Sequence, residues 1–214
     1  MENKAFTVSL AKNPIITIKV IPGHFTTGNA HVNNYLDVSG LKSSTLVARD
    51  VAEELAIPYL SSAIVDTIVC MEKTEVIGAY LAEELLKHGS TVMNSGSDIH
   101  LVTPINNVNG NMIFQDNLVE YITNRNIILL VASVSSARAL HIAMDCIAYY
   151  GGRLTGISAL FVASPGQQRE KINSLFTSED IPGYKLFTAA ECEMCKDGIK
   201  LDAIVSSDGY TRIG

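Results

Sequence analysis

Apolar runs and amphipathic segments alternate through the middle of this sequence. Residues 63–71, 127–130 and 153–163 are largely apolar and rich in β-branched side chains, which is typical of strands covered on both faces of a parallel sheet. Residues 75–88 and 139–150 carry apolar side chains three and four positions apart, which predicts amphipathic helices. The alternation predicts βαβ units, and therefore an α/β fold with a mostly parallel central sheet.

The segments on either side of this region are less regular. Residues 43–60 have helical spacing, with Ser43 or Ser44 as the expected N-cap. Residues 7–19 alternate only in part and are interrupted by a proline, which predicts one or two short strands. Near the other end, residues 199–205 alternate and predict a further strand.

A short loop of small and hydroxylic residues follows the apolar run at residues 127–130 and leads into a helix. A strand, a tight loop and a helix N-terminus in this order surround the loop with free backbone N–H groups and the positive end of the helix dipole. The expected ligand is a phosphate. Arg138 either clamps this phosphate with its planar guanidinium or projects to solvent. The candidate phosphate-binding residues are Ser133, Ser135, Ser136, Ala137, Arg138 and Ala139.

A second strand-turn-helix follows the run at residues 63–71. Its turn and first helical residue are Glu72, Lys73, Thr74 and Glu75. Lys73 is the only cation in the turn, and it is either a ligand contact or a solvated surface lysine. The two glutamates either flank a ligand or Mg²⁺, or complement the helix dipole.

The order of these elements resembles that of type I phosphoribosyltransferases, and of orotate phosphoribosyltransferases in particular. In the phosphoribosyl-diphosphate signature of that family, four apolar residues precede two acidic residues, two apolar ones and a small hydroxylic loop. Residues 127–130 and 135–139 match its beginning and its end. The two acidic positions, which hold the ribose hydroxyls in the family, are Val131 and Ala132 here. The turn at residues 72–75 resembles the family's pyrophosphate loop.

The resemblance implies a type I phosphoribosyltransferase-like fold in a single domain over residues 1–214. A small hood would come from residues 1–40, the α/β core from residues 41–165, and a C-terminal extension from residues 166–214. Mg²⁺ is the implied cofactor. The implied partners are a phosphorylated small molecule, either phosphoribosyl diphosphate or a nucleotide, and a second copy of the chain in a homodimer.

A polar stretch framed by aromatic residues begins near residue 23. Orotate phosphoribosyltransferases carry a similar stretch that lines their base pocket, although the lysine that they usually contribute from it is absent here. A hairpin whose turn at Gly28 and Asn29 needs positive φ explains the same stretch equally well. The candidate base-pocket residues are Phe25, Thr26, Thr27, His31 and Tyr35.

Residues 105–111 occupy the place of the mobile catalytic loop of orotate phosphoribosyltransferases. This segment contains no Lys, Arg or His, whereas a leaving pyrophosphate must be stabilised by cations or metal. The resemblance therefore supports an enzyme that moves a 5-phosphoribosyl group to a base such as orotate, while the residues themselves predict weak or absent turnover. The alternative is a non-catalytic nucleotide- or phosphate-binding regulatory protein on the same fold. An enzyme with altered chemistry on a phosphorylated substrate is a third possibility.

A Cys-x-x-Cys pair at Cys192 and Cys195 is the strongest local signal in the C-terminal segment. Such a pair supplies half of a structural zinc site, which requires four ligands. The predicted turn-and-strand context argues against a redox pair, because that prefers a helix N-terminus. Two interpretations stay open: a pair of reduced thiols, which the sequence favours, and a Zn²⁺ site completed elsewhere in the fold or by a partner.

Composition narrows the possible classes of protein. The formal net charge is −6 and 47% of the residues are hydrophobic. An acidic chain without a cluster of Lys and Arg predicts no nucleic-acid-binding surface. No apolar run is long enough to cross a bilayer, and the first residues lack the order of a secretion signal, so we expect no membrane partner and a cytoplasmic location.

Overall fold

The computed structural model describes residues 2–28, 30–87, 93–94, 96–108, 111–135, 137–166, 170–206 and 209–213. Its strands are β1 (Phe6–Ser9), β2 (Thr17–Thr26), β3 (His31–Asp37), β4 (Thr67–Cys70), β5 (His100–Val102), β6 (Ile105–Asn106), β7 (Met112–Ile113), β8 (Asn126–Val134), β9 (Arg153–Val162), β10 (Ile172–Thr177), β11 (Leu186–Phe187), β12 (Ala203–Ser206) and β13 (Gly209–Arg212). Its α-helices are α1 (Ser39–Ser43), α2 (Thr45–Ala56), α3 (Glu75–Lys87), α4 (Ala137–Tyr149) and α5 (Glu193–Lys196).

A five-stranded sheet in the order β10-β9-β8-β4-β5 forms the centre of the fold, and all of its neighbours run parallel. Every residue of β4 is buried, as expected of a strand with helices on both faces. Side chains alternate along β8, so that Ile128 and Leu130 face α2 and α3 while Leu129 faces α4. The predicted α/β fold with a parallel central sheet is confirmed.

Local capping agrees with the sequence pattern at the start of α2. The Ser44 side chain accepts a hydrogen bond from the backbone N–H of Val47 at 3.5 Å, which makes Ser44 the N-cap. The helix then packs its apolar face, including Val51 and Leu55, into the core beside α3. In the part of the chain that the structure describes, no helix is long and apolar enough to cross a membrane.

The apolar run at residues 63–71 is only partly a strand. Asn94, which is fully buried, accepts a hydrogen bond from the N–H of Val65 at 2.8 Å and donates one to the carbonyl of Ala63 at 3.0 Å. These bonds satisfy the backbone in place of a strand ladder, and β4 therefore begins at Thr67. Likewise, the strand predicted at residues 199–205 begins only at Ala203.

A second sheet combines both ends of the chain in the order β11-β3-β2-β12-β13, with β1 also paired to β2. We call this sheet the hood. Strand β12 runs parallel to β2, with Ala203 opposite Phe25. The hood's own apolar cluster has only four buried members, which are Ile21, Phe25, Val32 and Ala203. The hood is therefore a thin layer with a small core.

A β-bulge interrupts the pairing of β2 with β3. Pro22 pairs with Asn34 and Phe25 pairs with Val32, so Gly23 and His24 together oppose one residue. A Cβ at position 23 would lie 2.9 Å from Asp202 Oδ2 and 2.9 Å from Phe25 Cε2, which explains the glycine. The bulge leaves the backbone of His24 to pair with Asp202 instead, whose carboxylate accepts from His24 N at 2.8 Å.

Candidate functional site

A cavity of about 490 Å³ lies between the hood and the carboxyl edge of the parallel sheet. The segments that follow β4 and β8 and the end of β9 form its floor, and α1 with strands of the hood forms its walls. Ligands of open α/β sheets characteristically bind at this edge. The lining residues are Thr27, Val32, Asn34, Tyr35, Leu36, Val38, Ser39, Lys42, Ser43, Glu72, Lys73, Glu75, Val76, Ala132, Ser133, Ser135, Phe161, Tyr184, Val205, Ser206 and Gly209.

Only some residues of the candidate phosphate loop are found in the lining of this cavity. Ser133 and Ser135 line it. Helix α4 begins at Ala137, two positions earlier than the spacing predicts, and Arg138 and Ala139 are exposed in its first turn outside the lining. Ser136 lies outside the described residues. The cavity therefore adjoins the N-terminal end of a 13-residue helix, whose dipole favours a negative charge there.

The second candidate loop faces the same cavity. Glu72, Lys73 and Glu75 line it, whereas Thr74 is buried and donates hydrogen bonds to the carbonyls of Met71 at 2.9 Å and Leu130 at 3.3 Å. These bonds fasten the turn to β8. Glu72 and Lys73 have left-handed backbones, with φ of 56° and 64°. Non-glycine residues in this conformation are strained, and such strain concentrates at ligand-binding sites.

The carboxylate of Glu72 crosses from this turn to the end of β8. Its Oε2 accepts hydrogen bonds from the backbone N–H groups of Ala132 and Ser133, both at 2.9 Å. Burial raises the pKa of the Glu72 carboxyl above its ordinary value of 4.5, although these two bonds and nearby Lys42 act in the opposite direction. The site thus holds a carboxylate whose charged form is partly compensated by backbone dipoles.

The two positions of the replaced acidic pair point to opposite faces of the sheet. The Val131 side chain packs in the core on the α4 side, and Ala132 lines the cavity. The side chain at position 132 therefore faces the cavity, and here it is a methyl group. Glu72 brings a carboxylate to the backbone of this same residue from a different loop.

The candidate base-pocket residues are divided among three places. Thr27 and Tyr35 line the cavity from the hood. Phe25 is fully buried in the small core of the hood, and Thr26 donates its hydroxyl proton to the carbonyl of Thr27 at 3.0 Å. His31 lies in a separate cluster with cysteines. The structure brings two of the five residues to the cavity.

Lys42 is a cavity residue that the sequence pattern did not single out. Its Nζ donates a hydrogen bond to the Glu72 carbonyl at 2.9 Å, so it braces the strained turn while lining the cavity. The segment in place of the catalytic loop forms the antiparallel pair β6–β7. None of the described residues of that pair lines the cavity.

The Cys-x-x-Cys pair lies beside two histidines of the hood. His24 is on β2, His31 begins β3, Cys192 is the N-cap of the short helix α5, and Cys195 lies within that helix. One ligand atom from each lies within 4.8 Å of all the others. The sequence pattern predicted a turn and a strand around the cysteines and did not connect them with these histidines. The four residues together have the donor set of a metal site.

The individual distances in this cluster are short. His24 Nε2 lies 3.1 Å from His31 Nδ1 and 3.4 Å from Cys192 Sγ, and Cys195 Sγ lies 3.3 Å from His31 Nδ1 and 3.7 Å from His24 Nε2. Desolvation, and then the proximity of His24, lowers the pKa of His31, which favours the neutral ring. Desolvation and neighbouring Cys192 raise the pKa of the Cys195 thiol. Both causes favour the protonated thiol at Cys195.

No protein-family model matches the chain, and no curated protein sequence matches it. Several solved structures match the chain in fold. The chain is similar to Leishmania donovani UMP synthase, with a TM-score of 0.56 and 15% identity over 84% of this chain and 36% of that one. Adenine phosphoribosyltransferase from Thermoanaerobacter pseudethanolicus has a TM-score of 0.51 and 15% identity, over 75% of this chain and 95% of that one. Mycobacterium tuberculosis orotate phosphoribosyltransferase, in complex with Fe(III) dicitrate, has a TM-score of 0.50 and 10% identity, over 75% of this chain and 90% of that one.

Proposed function

We propose that this chain, which has the fold of the type I phosphoribosyltransferases, binds a 5-phosphoribosyl compound in the cavity at the carboxyl edge of its parallel sheet. The ligand is either phosphoribosyl diphosphate or a nucleoside monophosphate. One observation carries the proposal: the loops after β4 and β8, which the sequence singled out separately, line a single cavity under the hood. At 490 Å³ this cavity is in the range of small-molecule sites.

The charge distribution supports a phosphate at the floor of the cavity. Ser133 and Ser135 line it immediately before the N-terminus of α4, where backbone N–H groups and the helix dipole attract an anion. Lys42 and Lys73 bring two ammonium groups to a lining that also holds the carboxyl groups of Glu72 and Glu75. The helix N-terminus and the two ammonium groups favour a phosphorylated ligand over a neutral one.

Glu72 is our candidate for the ribose contact. A carboxylate has about four lone-pair sites, and the N–H groups of Ala132 and Ser133 use only one of its oxygens. Sugar hydroxyls can donate hydrogen bonds to such a carboxylate. We infer that Glu72, which lies in a different loop, binds the ribose hydroxyls in place of the acidic residues that Val131 and Ala132 replace.

Transfer of the phosphoribosyl group to orotate or a related base is the second candidate function, and the Glu72 carboxylate is the observation in its favour. Mg²⁺ fits the lining, since carboxylates of Glu72 and Glu75 face a space where ligand phosphates would complete its coordination. Against transfer stands the absence of Lys, Arg and His from residues 105–111. Without their cations a leaving pyrophosphate loses stabilisation typically worth several kcal/mol. We therefore propose binding with little or no turnover, as in a regulatory protein.

The resemblance to orotate phosphoribosyltransferases adds two proposals about the chain in its cell. A homodimer is expected, because those enzymes pair their subunits across the catalytic loop. A cytoplasmic location is expected from the composition. Sedimentation of the purified protein at several concentrations tests the first, and microscopy of a tagged chain tests the second.

Calorimetry tests the binding proposal. Ribose 5-phosphate, phosphoribosyl diphosphate, a nucleoside monophosphate and sulfate are titrated into the wild type, into Ser135→Glu and into Ser61→Glu. Ser135 lines the cavity, whereas Ser61 is exposed in a turn outside its lining, so the two variants add the same charge in different places. We expect saturable binding of the phosphoribosyl compounds that Ser135→Glu abolishes and Ser61→Glu preserves. Equal binding by both variants would place the ligand elsewhere.

An orotate assay with phosphoribosyl diphosphate and Mg²⁺ separates the two candidate functions. Binding without product supports the regulatory protein. Turnover within a few-fold of ordinary enzymes, whose kcat is on the order of 10 s⁻¹, would refute our interpretation of residues 105–111.

A further inference from the structure

The cluster of His24, His31, Cys192 and Cys195 has the chemistry and the spacing of a structural metal site. Structural Zn²⁺ is bound tetrahedrally by four nitrogen and sulfur ligands, and Cys₂His₂ is one of the common sets. His24, His31, Cys192 and Cys195 supply two of each type. Of the 21 lining residues of the phosphoribosyl cavity, none belongs to this cluster, so it is a separate site.

The distances within the cluster are compatible with a metal site. Zn–N bonds of about 2.0–2.1 Å and Zn–S bonds of about 2.3 Å in a tetrahedron place two nitrogens about 3.3 Å apart and a nitrogen and a sulfur about 3.6 Å apart. The observed N···N distance is 3.1 Å, and three of the four N···S distances are 3.3, 3.4 and 3.7 Å. All four agree with one central ion to within a few tenths of an ångström.

The orientation of His24 gives independent support. Its Nδ1 lies 2.8 Å from the carbonyl oxygen of Ile199, and a carbonyl can only accept, so Nδ1 carries the proton and donates. The lone pair of Nε2 is therefore directed at His31, Cys192 and Cys195. A metal-binding histidine is characteristically fixed in this way, with its other ring N–H on a backbone carbonyl.

The place of the cluster explains what a metal would contribute. His24 and Cys192 are 168 positions apart in the sequence, and among the described residues the apolar cluster confined to the hood has four buried members. Thin layers with a small core commonly depend on a metal or a disulfide for stability. An ion bound here joins β2 and β3 to the C-terminal segment that continues into β12 and β13.

We propose that His24, His31, Cys192 and Cys195 bind one Zn²⁺ ion that fastens the C-terminal segment to the hood. The ion is structural, because four protein ligands leave no position open for a substrate. This inference does not depend on the ligand of the cavity.

Metal content of the purified full-length chain is the direct test, measured by plasma mass spectrometry under reducing conditions. We expect one zinc per chain. After removal of the zinc with a chelator, Co²⁺ is expected to give the visible spectrum of a tetrahedral site with thiolate-to-cobalt charge transfer. Zinc at about 100 times its Kd is expected to raise the unfolding midpoint of the metal-free protein by roughly 5–10 °C.

Variants identify the ligands. Cys195 is exposed, so Cys195→Ser should fold, and we expect it to lose the stoichiometric zinc and the charge-transfer band. Cys146→Ser removes a cysteine outside the cluster and should keep both. His31→Ala should weaken metal binding at least tenfold.

Three results would overturn the proposal, and the first two need no variant. One is a zinc-free wild type that takes up neither Zn²⁺ nor Co²⁺ while its thiols are reduced. Another is a Cys192–Cys195 disulfide in the protein as purified, seen as a loss of two hydrogens by mass. The third is a metal that Cys195→Ser and His31→Ala bind as tightly as the wild type.

Discussion

The carboxylate oxygen Oε2 of Glu72 lies 2.9 Å from the backbone nitrogen of Ala132 and accepts its hydrogen bond. Ala132 is one of the two positions where the family resemblance leads us to expect an acid, and Glu72 belongs to the loop after the neighbouring strand β4. The carboxylate is thus present at the end of β8 although the sequence of β8 does not encode it. We therefore expect the Glu72 side chain to contribute to the chemistry of the cavity.

Replacing Glu72 by glutamine should separate sugar binding from anion binding. The amide keeps the size of the side chain but loses the charge that accepts ribose hydroxyls. A hydrogen bond to a charged group contributes about 1.5–3 kcal/mol, so affinity for ribose 5-phosphate should fall roughly 10- to 100-fold while affinity for sulfate stays equal or rises. Calorimetry measures both, with exposed Glu53→Gln as the matched control. A parallel loss for both ligands would contradict the assignment.

Sulfate binding should also depend on pH through Glu72. Burial raises the pKa of this carboxyl above 4.5, so the group is neutral below that value and becomes charged as the pH rises through the elevated pKa. A negative charge in the cavity opposes an anion. Sulfate affinity should therefore fall as the pH rises, and the sulfate ion itself does not titrate in this range.

The variant Glu72→Gln isolates this effect from the other charged groups of the lining, which are Lys42, Lys73 and Glu75. Its sulfate affinity should lose the part of the pH dependence that appears above pH 4.5. An unchanged slope in the variant would assign the dependence to another group.

Gly78 should not tolerate a methyl group. A Cβ there would lie 2.5 Å from Cys70 Sγ, so Gly78→Ala forces α3 away from β4. We expect a loss of about 1–3 kcal/mol in the free energy of unfolding, measured by urea titration. Gly40→Ala is the control, since nothing lies within 4 Å of its added Cβ.

The double variant Gly78→Ala with Cys70→Ala tests the cause of that loss. Removing the sulfur makes room for the new methyl group, so the double variant should be less destabilised than the sum of the two single changes. Strict additivity would show that the contact with Cys70 is not responsible.

Asn94→Ala should destabilise the protein through the backbone before β4. Asn94 satisfies the N–H of Val65 and the carbonyl of Ala63, and its loss leaves two buried polar groups without these partners. We expect a cost of about 2–4 kcal/mol in thermal or urea unfolding. Asn117→Ala, at an exposed position, should cost less than about 0.5 kcal/mol, and equal effects of the two changes would be inconsistent with this role.

Periodicity alone predicted the parallel sheet and its helices, because burial on two faces leaves a clear pattern in β4, β8 and β9. The strand-loop-helix order, together with the family resemblance, predicted ligand-binding loops at residues 72–75 and 133–139. Their meeting in one cavity follows from the parallel order, since the carboxyl ends of adjacent strands share an edge. Which individual side chains reach the cavity was not predictable, as Arg138 outside the lining and Lys42 within it show.

The two histidines beside the Cys-x-x-Cys pair were not identified from the sequence, for a different physical reason. Strands β2 and β12 are neighbours in space but far apart in sequence, and no local pattern reports that pairing. The available signal was chemical: two histidines seven positions apart and a Cys-x-x-Cys pair together make four zinc-type ligands. The Glu72 contact likewise depends on left-handed backbone at residues 72 and 73, which no propensity of Glu or Lys favours.

The order of strands in the hood has a consequence for how the chain matures on the ribosome. The parallel sheet is complete once residue 177 has emerged, but Phe25 and Thr26 of β2 gain their partners in β12 only from residues 203 and 204. Until then that end of β2 is a bare strand edge, which invites pairing with other nascent chains. A truncated chain that ends before residue 203 should therefore aggregate, and we do not expect it to function as a smaller protein.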